Sequence, residues 1–301
     1  MAPKKSVLIT GCSQGGIGSA LAIEFQKRGL HVFATARTLK RMDHLKDLPD
    51  VTLIHLDVTD QASMTAASEQ VKAIAGGKLD YLINNSGAQH VAPVIDTDIQ
   101  IAKGIFDVNV FGVLLMVKTF SPQLLAARGC IVNICSVSGY VYAPWMGLYQ
   151  ASKAATEMLS ETMRLELQPL GVRVISLVTG AIATNIMTGA SVADLPESSP
   201  YKVESVEAAI VKMTSAKDGI KRTPADEYAK MVVNDTLGGS SGRIWRGQMA
   251  GMVNFMNKLI PASIIVRISR LPFSKNEIND VLFRTERCSK KLAWRTWVTN
   301  N

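Results

Sequence analysis

From residue 6 to about residue 180, short runs of β-branched and other apolar residues alternate with longer stretches whose apolar positions recur at helical spacing. No other feature narrows the fold as far. Strands separated by a helix-length segment cannot be joined by a tight turn, so they lie parallel, with crossover helices on both faces of the sheet. The strand-length runs fall at 6–10, 31–36, 51–56, 79–84, 130–135 and 172–178. The helical stretches fall at 17–27, 61–75, 98–120 and 149–167, the last ended by Pro169 and Gly171. The runs are apolar on both sides, as strands covered twice must be. With 301 residues, 47% of them hydrophobic, there is ample material for such a core. The expected fold is an α/β doubly wound parallel sheet over residues 1–250, followed by a helical C-terminal extension over 251–301.

The first strand runs straight into Thr10-Gly11-Cys12-Ser13-Gln14-Gly15-Gly16-Ile17-Gly18. Glycines where a strand turns into a helix let the backbone approach a pyrophosphate, and the helix start adds free N–H groups and the positive end of its dipole. Gly11, Ser13, Gly16, Ile17 and Gly18 are therefore candidate cofactor-binding residues. A bare turn would also use glycine, but this one opens a βαβ series. At the end of the second strand a carboxylate would receive the ribose hydroxyls of NAD, whereas an arginine receives the 2′-phosphate of NADP. That strand ends Ala34-Thr35-Ala36-Arg37 and the next acid is Asp43, so Arg37 points to NADP. Asp57-Val58 and Asn84-Asn85-Ser86-Gly87 end further strands on the same side, where an open α/β sheet holds its ligands. Asp57 and Val58 suit the amino group and face of an adenine, and Asn85 and Gly87 offer an amide and a permissive backbone; turn chemistry alone selects the same residue types.

Of six tyrosines, only Tyr149 has a lysine four residues on, Lys153. On a helix that spacing puts phenol and ammonium on one face, about a turn apart. A free phenol has a pKa of about 10. A fixed cation beside it favours the phenolate and makes the phenol a better proton donor.

In this order, the glycine turn, Asp57-Val58, Asn84-Asn85-Ser86-Gly87, Asn109, Ser136, Tyr149 with Lys153, and Thr179-Gly180-Ala181-Ile182-Ala183-Thr184 resemble the classical short-chain dehydrogenase/reductase family over about residues 5–190. The resemblance implies a Rossmann-type sheet and an NADPH-dependent oxidoreductase. It implies that Ser136 binds the substrate carbonyl oxygen, Tyr149 delivers the proton, and Lys153 holds the nicotinamide ribose and lowers the pKa of Tyr149. Asn109 would anchor a water connecting Lys153 to solvent, and Gly180, Ile182 and Thr184 would fix the nicotinamide carboxamide. A nucleotide-binding scaffold without turnover would need none of Asn109, Ser136, Tyr149 and Lys153, and all four are present. Three departures from the family pattern are visible: four residues instead of three separate Gly11 from Gly16, Ser86 replaces an alanine, and Thr179 replaces a proline. Segments 178–184, 223–229 and 242–247 further resemble fungal 1-acyldihydroxyacetone-phosphate reductases and related secondary-metabolite ketoreductases. That likeness implies reduction of a ketone on a lipophilic substrate, and the family commonly forms homodimers through the helices at 98–120 and 149–167.

The segment between Ser136 and Tyr149 carries Tyr140, Tyr142, Trp145 and Met146, which would line a substrate pocket or pack in the core. Residues 185–223 are polar and interrupted, as a substrate lid would be. Lys217, Lys221, Arg222 and Arg246 are cations for a substrate phosphate or else solvated surface. In the tail, Met252, Phe255, Met256 and Leu259, then Ile264, Ile265, Ile268 and Leu271 beside Arg267 and Arg270, make an amphipathic basic pattern over 251–273. It fits a peripheral membrane contact, a cover over the pocket or a partner subunit. The net charge of +8 comes without a nucleic-acid motif, so no nucleic-acid partner is expected. The four cysteines have neither pairing nor metal-ligand spacing, so no metal is expected. The setting read from them is cytoplasmic, with the tail allowing contact with an endoplasmic reticulum or lipid droplet surface. No uninterrupted apolar stretch approaches the roughly 18 residues of a membrane span.

Overall fold

The computed structural model describes residues 4–185, 191–192, 194–215 and 219–269. Seven parallel strands form one sheet: β1 (Ser6–Ile9), β2 (His31–Ala36), β3 (Val51–His55), β4 (Tyr81–Asn84), β5 (Cys130–Ser136), β6 (Arg173–Thr179) and β7 (Gly242–Arg246). Their order is β3-β2-β1-β4-β5-β6-β7, so the chain winds from β1 to one edge, returns, and winds to the other. The reversal between β1 and β4 opens the crevice in which this class of sheet binds ligands.

The side-chain alternation of β1 divides the core in two. Val7 and Ile9 enter the layer under α1 (Ile17–Lys27) and α7 (Ala225–Leu237), with Phe25, Tyr228 and Val232. Leu8 enters the opposite layer, with Met64 of α2 (Gln61–Ile74), Phe120 of α4 (Gly112–Ala127) and Met163 of α5 (Gly147–Leu167). Each expected strand and helix is present, with ends shifted by a residue or two except at the helix expected over 98–120.

That helix runs on to Ala127 as α3 (Ile99–Phe106), a π-helical turn (Asp107–Phe111) and α4. Pro122 fails to end it. Proline removes the N–H that would meet the carbonyl of Lys118, and the hydroxyl of Ser121 donates to that oxygen at 2.9 Å instead. Among the described residues this run is the one helix long and apolar enough to cross a membrane, but Met116, Phe120 and Leu124 pack it onto the sheet.

The longer elements that were not anticipated include β7, α7 and α6 (Glu204–Thr214). The last lies inside the expected lid, where Val206 and Ile210 bury themselves with Val91 and Leu195 against Trp145 and Tyr201. Two short parallel ladders, His90–Val91 with Ser191–Val192 and Ile182–Ala183 with Thr223–Pro224, tie the same region to the strand ends. The described part of the lid is thus a docked element with its own small core. The tail starts as α8 (Ala250–Leu259) and α9 (Ala262–Ser269), with Val253 buried and Met252, Phe255 and Leu259 exposed. Lys217, the side chains of Arg267 and Ile268, and the tail from Arg270 onward, Leu271 included, lie outside the described residues.

Candidate active site

A cavity of about 960 Å³ lies beyond the carboxyl ends of the strands, at the upper end of the usual size for a cofactor site. Gly11, Ser13, Gly16, Ile17, Arg37, Asp57, Val58, Asn85, Gly87, Ser136, Tyr149, Lys153, Gly180, Ile182 and Thr184 all line it. Gly18 and Asn109 stand behind the wall and shape it.

At Gly18 a Cβ would meet the carbonyl oxygen of Gly11 at 2.4 Å and Asn85 Nδ2 at 2.6 Å, so the helix start sits against the strand end with no room for a side chain. Gly11 has φ 74°, a left-handed conformation open to glycine. Asn85, expected to face the ligand, donates Nδ2 to the carbonyls of Thr10 at 2.7 Å and Gly11 at 3.1 Å, and so holds the loop in shape. The extra residue of the turn is absorbed at Gly15, whose φ is 77° and whose missing Cβ leaves space for the Asn185 amide. The N–H groups of Cys12 and Gln14 donate to the carbonyls of Thr35 at 2.9 Å and Arg41 at 3.0 Å, which fastens the loop to β2 and the turn after it.

Arg41 itself lines the cavity next to Arg37. Sequence reasoning singled out Arg37 alone; the only signal for Arg41 was its spacing of four residues. Asp57 Oδ1 accepts from the N–H of Thr59 at 2.9 Å and from its hydroxyl at 2.8 Å, which leaves Oδ2 for a ligand donor.

At the other end of the cavity, Ser136 ends β5 and Tyr149 stands in the first turn of α5, both buried. Burial raises the pKa of the Tyr149 phenol, and a hydrogen bond with Ser136 pulls it partly back. Ser136 Oγ accepts from the N–H of Ser138 at 3.1 Å. Lys153 donates to the carbonyl of Ile134 at 2.8 Å, and its Nζ lies 5.9 Å from the Tyr149 ring centroid. Burial lowers its own pKa. In the protein alone, burial sets the direction of the Tyr149 shift.

Asn109 lies in the π turn, a backbone irregularity often found at functional sites, and is 0% exposed. Its Nδ2 donates to the carbonyl of Ala88 and to Ser152 Oγ, both at 2.9 Å, and its Oδ1 accepts from the N–H of Ala88 at 2.8 Å. Its backbone carbonyl accepts from Thr156 at 2.8 Å. Asn109 thereby clamps the end of β4 to α5, one turn from Lys153.

Several expectations at the substrate end are corrected. The rings after Ser136 do not line this cavity: Tyr140 packs on Trp245 with centroids 4.8 Å apart, and Trp145 meets Tyr201 edge-on at 5.1 Å. Arg246 is held by both carboxylate oxygens of Asp235 at 2.8 Å, which occupies it as an ion-pair partner. The departure at Thr179 has a structural reason, because its hydroxyl bonds the buried Tyr228 hydroxyl at 2.6 Å, a contact proline cannot make.

A glycine turn, two arginines beyond β2 and a Ser-Tyr-Lys cluster in one crevice define an oxidoreductase of the dinucleotide-binding α/β class. Comparison with known proteins narrows this. The short chain dehydrogenase family model matches residues 5–194. A protein of Penicillium crustosum named short-chain dehydrogenase PC-15 is 47% identical over 258 residues, 86% of this chain and 94% of its own. An NADPH-dependent 1-acyldihydroxyacetone phosphate reductase of Schizosaccharomyces pombe is 46% identical over 205 residues, 67% of this chain and 69% of its own. Among solved structures, a short chain dehydrogenase from Burkholderia cenocepacia in complex with NADP superposes with a TM-score of 0.71 at 26% identity, covering 89% of this chain and 98% of that one. The chain belongs to the short-chain dehydrogenase family.

Proposed function

We propose that this protein reduces a ketone on a lipophilic substrate at the expense of NADPH. The carrying observation is that the Tyr149 phenol faces Ser136 beside Lys153 in the same cavity as the glycine turn and its arginines. NADPH supplies the hydride that ends on the carbonyl carbon. The residues present fit it: the close approach at Gly18 leaves the helix start free for a pyrophosphate, Arg37 and Arg41 suit a 2′-phosphate, and Asp57 Oδ2 suits the adenine amino group.

Ser136 Oγ accepts from a backbone N–H, which leaves its own hydrogen for the Tyr149 oxygen in the protein alone and for the substrate oxygen when a ketone is bound. Tyr149, whose pKa stays above the ordinary phenol value, is protonated at neutral pH and is the proton donor. As the proton leaves, the Lys153 ammonium stabilises the negative charge left on the phenolate. Ile182 and Thr184 would hold the nicotinamide carboxamide from the opposite wall.

For the substrate, an acyl-dihydroxyacetone-phosphate-like ketone is the first reading, supported by the reductase relative. A polyketide-type or aromatic ketone is the second, kept because the reductase likeness covers 67% of this chain. NADPH consumption against acyl-dihydroxyacetone phosphate, steroid ketones and hydroxynaphthalene-type ketones separates them. Tyr149→Phe should lower kcat by roughly 10²–10⁴-fold, the usual size of general acid catalysis, while NADPH binding measured by fluorescence persists. Undiminished turnover in that variant would remove Tyr149 as the proton donor, and a wild type that binds NADPH but turns over no ketone would reduce the protein to a nucleotide-binding scaffold.

A further inference from the structure

Gln89 lines the site cavity, is 6% exposed, and its Nε2 has no hydrogen-bond partner among the described residues. A buried amide left unpaired is costly and uncommon in native structures, and the backbone that carries this one is held on both sides. On one side Asn109 grips both the N–H and the C=O of Ala88. On the other, His90 is paired with Ser191 in the ladder beneath the lid, and the N–H of Ala92 donates to the carbonyl of Trp145 at 2.8 Å. The backbone at Gln89 is therefore held in place, and its carboxamide lies at the wall where a bound ligand can pair it.

Its place on the chain says which ligand. The groups suited to the cofactor run from Arg37 through the glycine turn to Lys153, Ile182 and Thr184. Gln89 continues past Gly87 in the other direction, toward the ladder and the small core under α6. We infer that Gln89 is a specificity-determining residue whose carboxamide hydrogen-bonds a second oxygen function on the ketone substrate, a hydroxyl, ether or ester oxygen distinct from the carbonyl being reduced. The inference rests on the ketone reductase reading. A carboxamide both donates and accepts, so it matches any of those oxygens, and a hydrocarbon in their place leaves it unpaired, which is how a polar site rejects an apolar analogue.

The test uses two ketones of equal chain length, 1-hexyloxypropan-2-one and 2-decanone, which differ by an oxygen in place of a methylene. The full-length wild type should prefer the ether ketone roughly tenfold in kcat/KM. Gln89→Leu and Gln89→Met should bring that ratio near one by losing activity on the ether ketone, with the Kd for NADPH unchanged as the check on folding. A wild-type ratio of one, absence of turnover on both ketones included, overturns the inference, as does a ratio that survives both substitutions. Weakened NADPH binding with the ratio intact would assign Gln89 to the cofactor and overturn it too. The wild type and Tyr149→Phe assayed alongside keep the two readings apart: no NADPH-dependent turnover of any ketone by the wild type sinks the reductase, whereas wild-type turnover that is lost in Tyr149→Phe, with an unchanged ratio at Gln89, sinks the subsite alone.

Discussion

The substitution Asn109→Ala tests whether the fold and the site share one clamp. It removes three side-chain hydrogen bonds of 2.8–2.9 Å from a position with no solvent exposure. Ser152 keeps a bond to the carbonyl of Tyr149 at 2.7 Å, so its loss is partial. Ala88 loses a partner for its N–H and for its C=O, each costing about 1–3 kcal/mol if left unpaired. Ala88 is only half-buried, so water recovers part of that. A net destabilisation of about 2–4 kcal/mol follows. For a chain of this length it corresponds to a fall in Tm of roughly 4–16 °C. Thermal and urea unfolding measure it directly, and kcat/KM assayed well below the new Tm should still be depressed, because Ala88 positions both Gly87 and Gln89. A variant whose unfolding midpoint stays at the wild-type value would refute the clamp and restore the plainer role of Asn109 as a water anchor.

The parallel sheet was legible because buried strands must be largely apolar on both faces, and β1, β2, β5 and β6 meet that condition at most positions, with Thr35, Asn133 and Ser176 as buried polar exceptions. The edge strand β7 is different. Arg243 and Arg246 occupy two of its five positions and are compensated by Glu157 and Asp235, partners that exist only once the chain has folded. Local rules failed in the same way at Pro122, where the hydroxyl of the preceding serine replaced the missing backbone donor. In the site, residue types were readable and side-chain directions were not. Asn85 was seen as an amide at a strand end, yet nothing in its neighbours says that the amide turns back on Thr10 and Gly11. Gln89 carried no pattern and Arg41 only its spacing from Arg37, since burial of one and convergence of the other on the cavity arise from the crossovers. The rings after Ser136 looked like a pocket wall because apolarity alone does not distinguish a wall from the packing behind it.

Two further predictions address the cofactor and the proton. Arg37→Ala and Arg41→Ala should each weaken NADPH binding by roughly three- to tenfold, and together by more, because both cations are exposed and partly screened. NADH, which lacks the 2′-phosphate, should bind unchanged, and equal losses for both cofactors would place the arginines on some other group. The pH profile follows from opposite shifts. Burial holds the Tyr149 phenol above 10.0, so the proton donor stays loaded through the neutral range. Burial holds the Lys153 ammonium below 10.5, so its charge is lost earlier than that of an exposed lysine as the pH rises. Reduction should therefore be flat through neutral pH and fall on the alkaline side, with the limb set by Lys153, while oxidation of the alcohol product, which needs the phenolate, gains as the pH rises. Lys153→Arg, whose charge does not titrate in this range, should move the reduction limb upward if the variant folds and turns over. A limb that stays put in that variant would show that the group losing its proton is not Lys153.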